Sequence, residues 1–468
     1  MASDLRDYQD YAVTLTASHF ARHPAGSLLL TLPPAAGKTH IGARVTRDMV
    51  FRIGLRGLAI AHRREIVDSI YEKIVGDGVP AEKVGVVMAD DREALDPRYR
   101  PDAPIQVASI ATLLARGLHP AADLLWSDEC HLDAADQRGA FIQRYRKGGT
   151  FILGTTATPV RLDGRGFGDL YDRLEVVVQP DDLVERGFIS SPLVWTVPKE
   201  YRPQFDREPG KGRDFSDEAV ARAANRPVLV GSIVGHWLKR ARNFRTLVFA
   251  STREHSRSIV ARFNTDAREG IAMHLDGDAS PRERRAVLES LESGRTKIVS
   301  SCMLLTAGTD LPFVRCVILA RPTKSVQLHI QSCGRVFRLF RRKGNLVRPV
   351  ILDHAGNYMR RGLGDPLARR EDWSLDGAPE GDGGVAPMKD CPCGAVCATG
   401  CATCPECGAA FDMSREPVED EAAELVRWAS QQRTKIEADV RAALDRMGHG
   451  GNEPLIQRIV KARLTSPT

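Results

Sequence analysis

The sequence predicts an α/β protein with two parallel-sheet units in tandem, followed by a small cysteine-rich module and a helical tail. Three observations carry that prediction. Short apolar runs alternate with amphipathic stretches across residues 1–190 and again across 225–370, and uninterrupted apolar strands separated by helix-length segments mark sheets buried on both faces. Gly37-Lys38-Thr39 follows one apolar run and Asp128-Glu129 ends another. Such sheets collect ligands there, at strand C-termini opposite helix N-termini. Finally, six of the ten cysteines crowd between Cys391 and Cys407, beyond both units.

The first unit, residues 1–190, has candidate strands at Ser27–Thr31, Gly57–Ala61, Ile105–Ala108, Asp123–Ser127 and Thr150–Leu153. A connecting segment, 191–224, contains the polar stretch Lys199–Asp217. The second unit, 225–370, has candidate strands at Arg245–Ala250, Gly270–Leu275, Lys297–Ser300, Arg315–Ala320 and Leu346–Leu352. Residues 371–387 read as a linker, because Ser374–Pro387 repeats Gly and Asp, a composition that favours flexibility over packing. The cysteine module occupies 388–412. In the tail, 413–468, Leu425, Ala429, Ile436, Val440, Leu444 and Met447 trace one side of a helix about seven turns long. Gly448-His449-Gly450-Gly451 ends it, and a short final helix spans Leu455–Leu464.

At 468 residues the chain has room for two or three domains with substantial cores. Apolar and charged contents of 43% and 27% are those of an ordinary globular protein. The net charge of +6 is compatible with nucleic acid without pointing to it. Cations do concentrate at Arg335, Arg338, Arg341, Arg342 and Lys343. No apolar run is long enough to cross a bilayer, and the first residues lack a secretion signal's apolar core. Clustered cysteines fit a reducing compartment better than disulfides do. The expectation is therefore a cytoplasmic protein with no membrane partner.

The chemistry is carried by three motifs. In Pro34-Ala35-Ala36-Gly37-Lys38-Thr39, Gly37 permits close backbone approach, Lys38 can reach terminal phosphates, and the Thr39 hydroxyl can coordinate magnesium. The backbone N–H groups of Ala35, Ala36 and Gly37, with the positive helix end, supply further anion stabilisation. Alone, GKT is also compatible with an ordinary turn entering a surface helix; the acidic partner decides between the two. Asp128, behind the apolar Leu124-Leu125-Trp126, is placed to organise magnesium, and Glu129 to activate water. Buried acids beside an apolar strand are costly unless a cation accompanies them. His131, a lone histidine, is better suited to couple this site to neighbouring loops than to bind metal. Gln331-Ser332-Cys333-Gly334-Arg335-Val336-Phe337-Arg338 supplies cationic groups that an ATP site between two domains requires.

These motifs as a set resemble the helicase-like ATPases of superfamily 2, over roughly residues 4–365. The match continues through Leu5-Arg6-Asp7-Tyr8-Gln9, Ala61-His62-Arg63-Arg64-Glu65, Gly154-Thr155-Thr156-Ala157-Thr158-Pro159, Thr246–Thr252 and Leu305–Pro312. The resemblance implies two RecA-like motor domains using ATP and Mg2+. It implies that Gln9 reads adenine with Arg6 in its pocket, that Thr156 and Thr158 couple hydrolysis to domain movement, and that Arg63, Ser109, Thr112, Thr252 and Thr306 contact nucleic acid. Gly308 and Asp310 fall at key positions of their block, Asp310 toward the nucleotide. Gln331, Arg335 and Arg338 match the final ATPase block, where the arginines stabilise phosphoryl-transfer charge once the domains close. Within the superfamily, Asp353-His354-Ala355-Gly356-Asn357 and the cysteine-rich end resemble most the RadD-like branch and related phage and DNA-repair helicases. Restriction translocases share much of the pattern, but no nuclease constellation stands in this chain.

The chain departs from the family's Thr-Gly-x-Gly-Lys-Thr/Ser loop at Ala35, which is tolerable at negative φ and strained in the left-handed region. Ala307 and Thr309 also replace a frequent acid and a common aromatic. Cys391-Pro392-Cys393 and Cys404-Pro405-Glu406-Cys407 predict a structural zinc knuckle, since thiolates satisfy tetrahedral zinc and binding orders a segment too short for its own core. Cys397 and Cys401 are alternative ligands. The expected activity is ATP-dependent translocation or unwinding of nucleic acid, with DNA favoured by the RadD-like resemblance and a repair, recombination or phage-replication partner expected. The alternatives are a binding or remodelling adaptor with weak ATPase, an RNA helicase, or a restriction-type translocase.

Overall fold

The structure, a computed structural model, describes residues 5–89, 95–133, 136–160, 166–196, 227–302, 305, 311–323, 325–342, 344–359, 363–370 and 373–376, with short strands at 388–390, 396–398 and 426–427. The first lobe runs α1 (Asp7–Arg22), β1 (Ser27–Thr31), α2 (Lys38–Ile53), β2 (Gly57–Ala61), α3 (Arg64–Gly76), β3 (Val84–Val87), β4 (Ile105–Ser109), α4 (Ile110–Arg116), β5 (Leu124–Asp128), α5 (Asp136–Lys147), β6 (Phe151–Thr156), β7 (Arg173–Val176) and α6 (Pro180–Glu185). Its seven strands are parallel, in the order β3-β4-β2-β5-β6-β1-β7.

Both faces of this sheet are buried. Along β1, Leu28 and Leu30 join one apolar cluster and Leu29 the other; Ala59 with Ala61, and Leu58 with Ile60, divide in the same way along β2. Continuous apolar strands follow directly from such two-sided burial. Trp126 is fully buried and donates from Nε1 to Thr155 Oγ1 at 3.0 Å. A Cβ on Gly42 would sit 2.0 Å from its ring, so α2 packs flat on β5 only because that residue has no side chain.

The second lobe begins with β8 (Leu193–Thr196) and continues α7 (Pro227–Arg240), β9 (Thr246–Phe249), α8 (Arg253–Asp266), β10 (Ala272–Leu275), α9 (Pro281–Ser293), β11 (Ile298–Ser301), β12 (Cys316–Leu319), α10 (Val326–Gly334), the hairpin β13 (Arg341–Arg342) and β14 (Asn345–Leu346), and β15 (Val350–Asp353). Its sheet order is β10-β11-β9-β12-β15-β8-β18, with β18 (Val426–Arg427) antiparallel on β8 and the other pairs parallel. β16 (Met388–Asp390) and β17 (Val396–Ala398) form a separate antiparallel pair.

Four particulars correct the sequence reading. Leu193–Thr196 lies within the stretch read as a connector, yet it pairs with β15 as part of the second sheet. Three unread strands, β3, β7 and β8, are each four residues long. The charged β7 is half-buried along its length at the sheet edge, where alternation and apolarity fade. Val426–Arg427, inside the expected tail helix, is a strand on the open edge of β8; an exposed row of backbone donors and acceptors recruits a partner whatever the local periodicity. The start of the expected linker is also docked. Phe167 N and Gly168 N donate to Leu375 O at 2.7 and 3.1 Å, and the Leu375 side chain packs on the first-lobe core. Just before it, Arg370 exchanges two hydrogen bonds with Gln179, and Arg369 pairs with Asp181 and Asp182. The chain thus returns from the second lobe to the first.

Candidate active site between the lobes

The sheet order sets the site. β1 and β5 flank β6, so the phosphate loop, the acidic pair and Thr155-Thr156 emerge side by side at one end of the sheet. Ala36 N donates to Pro33 O at 3.2 Å, and Gly37, with φ of 84°, opens α2. Ala35 has φ of 66°, so the loop demands the left-handed region at a residue that is not glycine, the strained alternative for this position. Lys38 is buried.

Thr39 Oγ1 donates to Asp128 Oδ2 at 3.1 Å, while Asp128 Oδ1 accepts from Thr155 Oγ1 at 2.9 Å and from Glu129 N at 3.1 Å. Burial pushes the Asp128 carboxyl up, and Glu129 adds to the push. Glu129 meets the same burial, but Lys38, then His131, overcome it and hold Glu129 below the usual carboxylate range. The Thr39 hydroxyl and the Asp128 carboxylate therefore converge where a cation would relieve an unfavourable buried charge, and this donor set fits hard, oxygen-seeking Mg2+. Glu129 itself has φ of 54°, a sharp turn that ends the strand.

The lobes meet across a cleft of about 610 Å3. On the first-lobe side it is lined by Arg6, Gln9, Lys38, Thr39, Asp128 and Glu129; Gln331, Gly334, Arg335 and Arg338 face them from the second lobe. Gln331 Nε2 and His131 Nε2 are 3.0 Å apart, while His131 Nδ1 lies 2.9 Å from Thr156 Oγ1 and 3.3 Å from Glu129 Oε2. One imidazole thus touches the acidic pair, the β6 end and the opposite lobe. Thr156 Oγ1 also accepts from Thr158 N at 3.1 Å, tying the expected coupling segment together. A second bridge joins Glu65 to Arg284 at 3.2 Å.

Gln9, expected to read adenine, has both amide atoms engaged by the protein: Oε1 accepts from Arg6 N at 3.0 Å, and Nε2 donates to Ala36 O at 3.0 Å. Tyr8 Oη donates to the same carbonyl at 2.9 Å. Sequence reasoning missed the aromatic part of this corner. Phe188 lines the cleft, with the Arg6 and Arg186 guanidinium groups 4.6 and 4.7 Å from its ring centre. No local pattern distinguishes Phe188 from a core residue, because it arrives from the far end of the lobe.

The expected nucleic-acid contacts sit at strand ends but are not gathered into one cluster. Arg63 caps α3 after β2, Ser109 ends β4, and Thr252 caps α8 after β9. Two of the hydroxyls each accept a backbone N–H: Thr112 Oγ1 from Ala89 N at 3.1 Å, and Thr252 Oγ1 from His255 N at 3.0 Å. Arg341 and Arg342 are exposed on the hairpin. Thr306, Asp310 and Lys343 lie outside the described residues, as do Cys391, Cys393, Cys404 and Cys407. Among the described residues no group of three or more His, Cys, Asp or Glu is arranged to hold a metal, and no helix is long and apolar enough to cross a membrane.

Two tandem parallel-sheet lobes with a phosphate loop and acidic pair facing arginines across a cleft define a nucleotide-driven motor. Residues 2–161 match the family model of the type III restriction enzyme res subunit, and residues 229–340 match the helicase conserved C-terminal domain. The two matched segments are thus the paired ATP-hydrolysing motor domains of superfamily 2 helicases and translocases. It is 25% identical over 391 residues to a 51.5 kDa protein of Lactococcus phage (isolate 7-9), covering 83% of this chain and 79% of that one. It is 24% identical over 364 residues to the Saccharomyces cerevisiae protein named for an ATP-dependent helicase, IRC3, covering 72% of this chain and 50% of the yeast protein. The chain thus spans about half the length of that relative. In fold it is similar to a fragment of a type I restriction enzyme HsdR subunit from Vibrio vulnificus YJ016, with TM-score 0.58, 20% identity, and coverage of 80% and 67% of the two chains.

Proposed function

We propose that this chain is a DNA-stimulated ATPase that translocates along DNA, or unwinds it, in repair, recombination or phage DNA metabolism. The observation that carries the reading is the cleft itself, with Lys38, Asp128 and Glu129 facing Arg335 and Arg338 of the other lobe. In this reading Lys38 and the loop amides hold the phosphates, Thr39 and Asp128 hold Mg2+, and Glu129 orients and deprotonates the attacking water. A magnesium ion held by Thr39 and Asp128 would supply positive charge to neutralise the phosphates. Arg335 and Arg338 stabilise charge that develops on the transferred phosphoryl group, and they do so only when the lobes are closed. Gln331, through His131, links that closure to Glu129 and Thr156. Alternating closure and release moves a strand held by Arg63, Ser109, Thr112, Thr252 and Thr306.

The restriction-type first domain supports DNA over RNA. A second reading, an adaptor with weak intrinsic turnover, is favoured by the left-handed Ala35. For the cysteine module we propose one structural zinc on Cys391, Cys393, Cys404 and Cys407; the antiparallel strands β16 and β17 flank Cys391 and Cys393 in sequence.

The test is ATP turnover with matched single- and double-stranded DNA and RNA, for wild type, Lys38→Ala and Glu129→Gln. DNA should stimulate turnover. K38A should weaken phosphate engagement, and E129Q should bind ATP without hydrolysing it. Stimulation by RNA alone overturns the DNA assignment. Turnover indifferent to both substitutions, with DNA binding intact, favours the adaptor.

A further inference from the structure

Behind the acidic pair lies a second cavity of about 10 Å3, lined by Ala61, His62, Ser127, Asp133 and Arg138. Its lining overlaps that of the ATP cleft at two residues, Asp128 and Glu129. The carboxylates are thus the wall between the two spaces. The volume is that of one water molecule, and a buried water needs two to four polar partners.

The polar groups around it are incompletely matched. Both ring nitrogens of His62 are buried and have no hydrogen-bond partner among the described residues. Glu129 Oε2, facing His131 Nδ1 at 3.3 Å, likewise accepts no hydrogen bond among the described residues. Asp133 is occupied elsewhere, accepting from Ser127 Oγ at 2.5 Å, and Arg138 donates to Leu132 O at 3.3 Å. Burial, with help from Arg63, holds His62 down at about 3, so its neutral ring has one donor and one acceptor to offer.

We propose that His62 is a positioning residue for Glu129, aiming its carboxylate through one water held in this cavity, and that it transmits nucleic-acid binding to the hydrolytic site. The chain geometry gives the transmission route. His62 is the first residue after β2, the strand paired directly with β5. Arg63, the next residue, caps α3 and is the expected backbone contact for nucleic acid. A strand pulling on Arg63 shifts His62 against the back of Glu129, whereas ATP meets the front. The inference rests on the motor reading above.

The experiment is steady-state ATPase of the full chain, with and without saturating DNA, for wild type, His62→Ala, His62→Gln and Arg63→Ala, together with DNA binding and thermal melting. H62A should lower DNA-stimulated kcat by roughly 10- to 100-fold, the scale of about 1 Å of misplacement at a reacting group. Its KM for ATP and its affinity for DNA should stay within about twofold of wild type. H62Q, which retains a donor and an acceptor, should recover most of the loss. R63A, which removes the contact that pulls on His62, should both weaken DNA binding and keep a reduced stimulated kcat even at saturating DNA. Wild-type kcat in H62A overturns the inference, as does equal loss in H62A and H62Q. So does a fall in kcat matched by a rise in KM and a lower melting temperature. Absence of stimulation by both DNA and RNA in the wild type would refute the motor reading itself, a result visible before any variant is made.

Discussion

Gly334 closes α10 against the phosphate loop, and adding one methyl group there should prise the lobes apart. A Cβ at Gly334 would lie 2.4 Å from Pro34 Cβ and 2.7 Å from its Cγ. Carbon atoms in contact sit about 3.5–4.0 Å apart, so Gly334→Ala requires the lobes to separate here by at least about 1 Å. The Pro34 ring is tied to its own backbone and cannot swing aside. Arg335 and Arg338 ride on the displaced element, and a shift of about 1 Å in groups facing a transition state costs on the order of 100-fold. G334A should therefore lose about 100-fold in nucleic-acid-stimulated kcat while still binding nucleotide, whose phosphate cradle belongs to the first lobe. Stopped-time ATPase assays and titration with a fluorescent nucleotide measure the two quantities separately. Pro34→Gly removes the opposing atoms, since Pro34 Cα is 3.9 Å from the added methyl. The double variant should accordingly recover activity toward that of P34G alone. A G334A protein hydrolysing at the wild-type rate would refute the argument that catalysis requires this closed contact, and failure of P34G to recover any activity would weaken it as strongly.

Replacing Arg335 or Arg338 with Ala should reduce stimulated turnover by roughly 100-fold and nucleotide affinity far less; equal losses accompanied by unfolding would assign them structural roles. Ala35→Gly relieves a left-handed residue that costs roughly 1–2 kcal/mol, against about 0.4–1 kcal/mol of added chain entropy in the unfolded state. Denaturant unfolding should show the protein unchanged or stabilised by up to about 1.5 kcal/mol, and a clear loss would contradict the strain. Burial raises the Asp133 carboxyl to about 7, whereas an unfolded chain's aspartate titrates near roughly 3.9. The folded state therefore keeps its proton longer, so the contribution of Asp133 to stability falls as pH rises from about 4 to about 7. Asp133→Asn should flatten that slope in melting curves, and a variant whose slope matches wild type argues against the shift. Purified protein should hold about one zinc per chain, and metal analysis retaining it after replacement of Cys391, Cys393, Cys404 and Cys407 by Ser would dismiss that ligand set.

The sequence by itself determined the two parallel sheets and the nucleotide loop, because both are written locally. A strand buried on both faces must be apolar throughout, as Leu28–Leu30 are, and a phosphate loop must place its glycine, lysine and hydroxyl within one turn, as Gly37-Lys38-Thr39 do. The acidic pair was legible for the same reason. Strands at and near the sheet edges were not: β7 is half-buried and charged, and β8, short and next to the outermost strand, gains its place only by pairing with a strand far along the chain. Tertiary structure alone decided whether Ala35 is strained, since φ is set by the loop's closure and not by the residue. It also decided that His131 meets Gln331 across the cleft, that Phe188 joins the nucleotide corner, and that Leu375 returns to the first lobe. Each of these joins residues distant in sequence, and the partner that gives such a residue its role is specified by how the lobes pack, which no window of neighbouring residues contains.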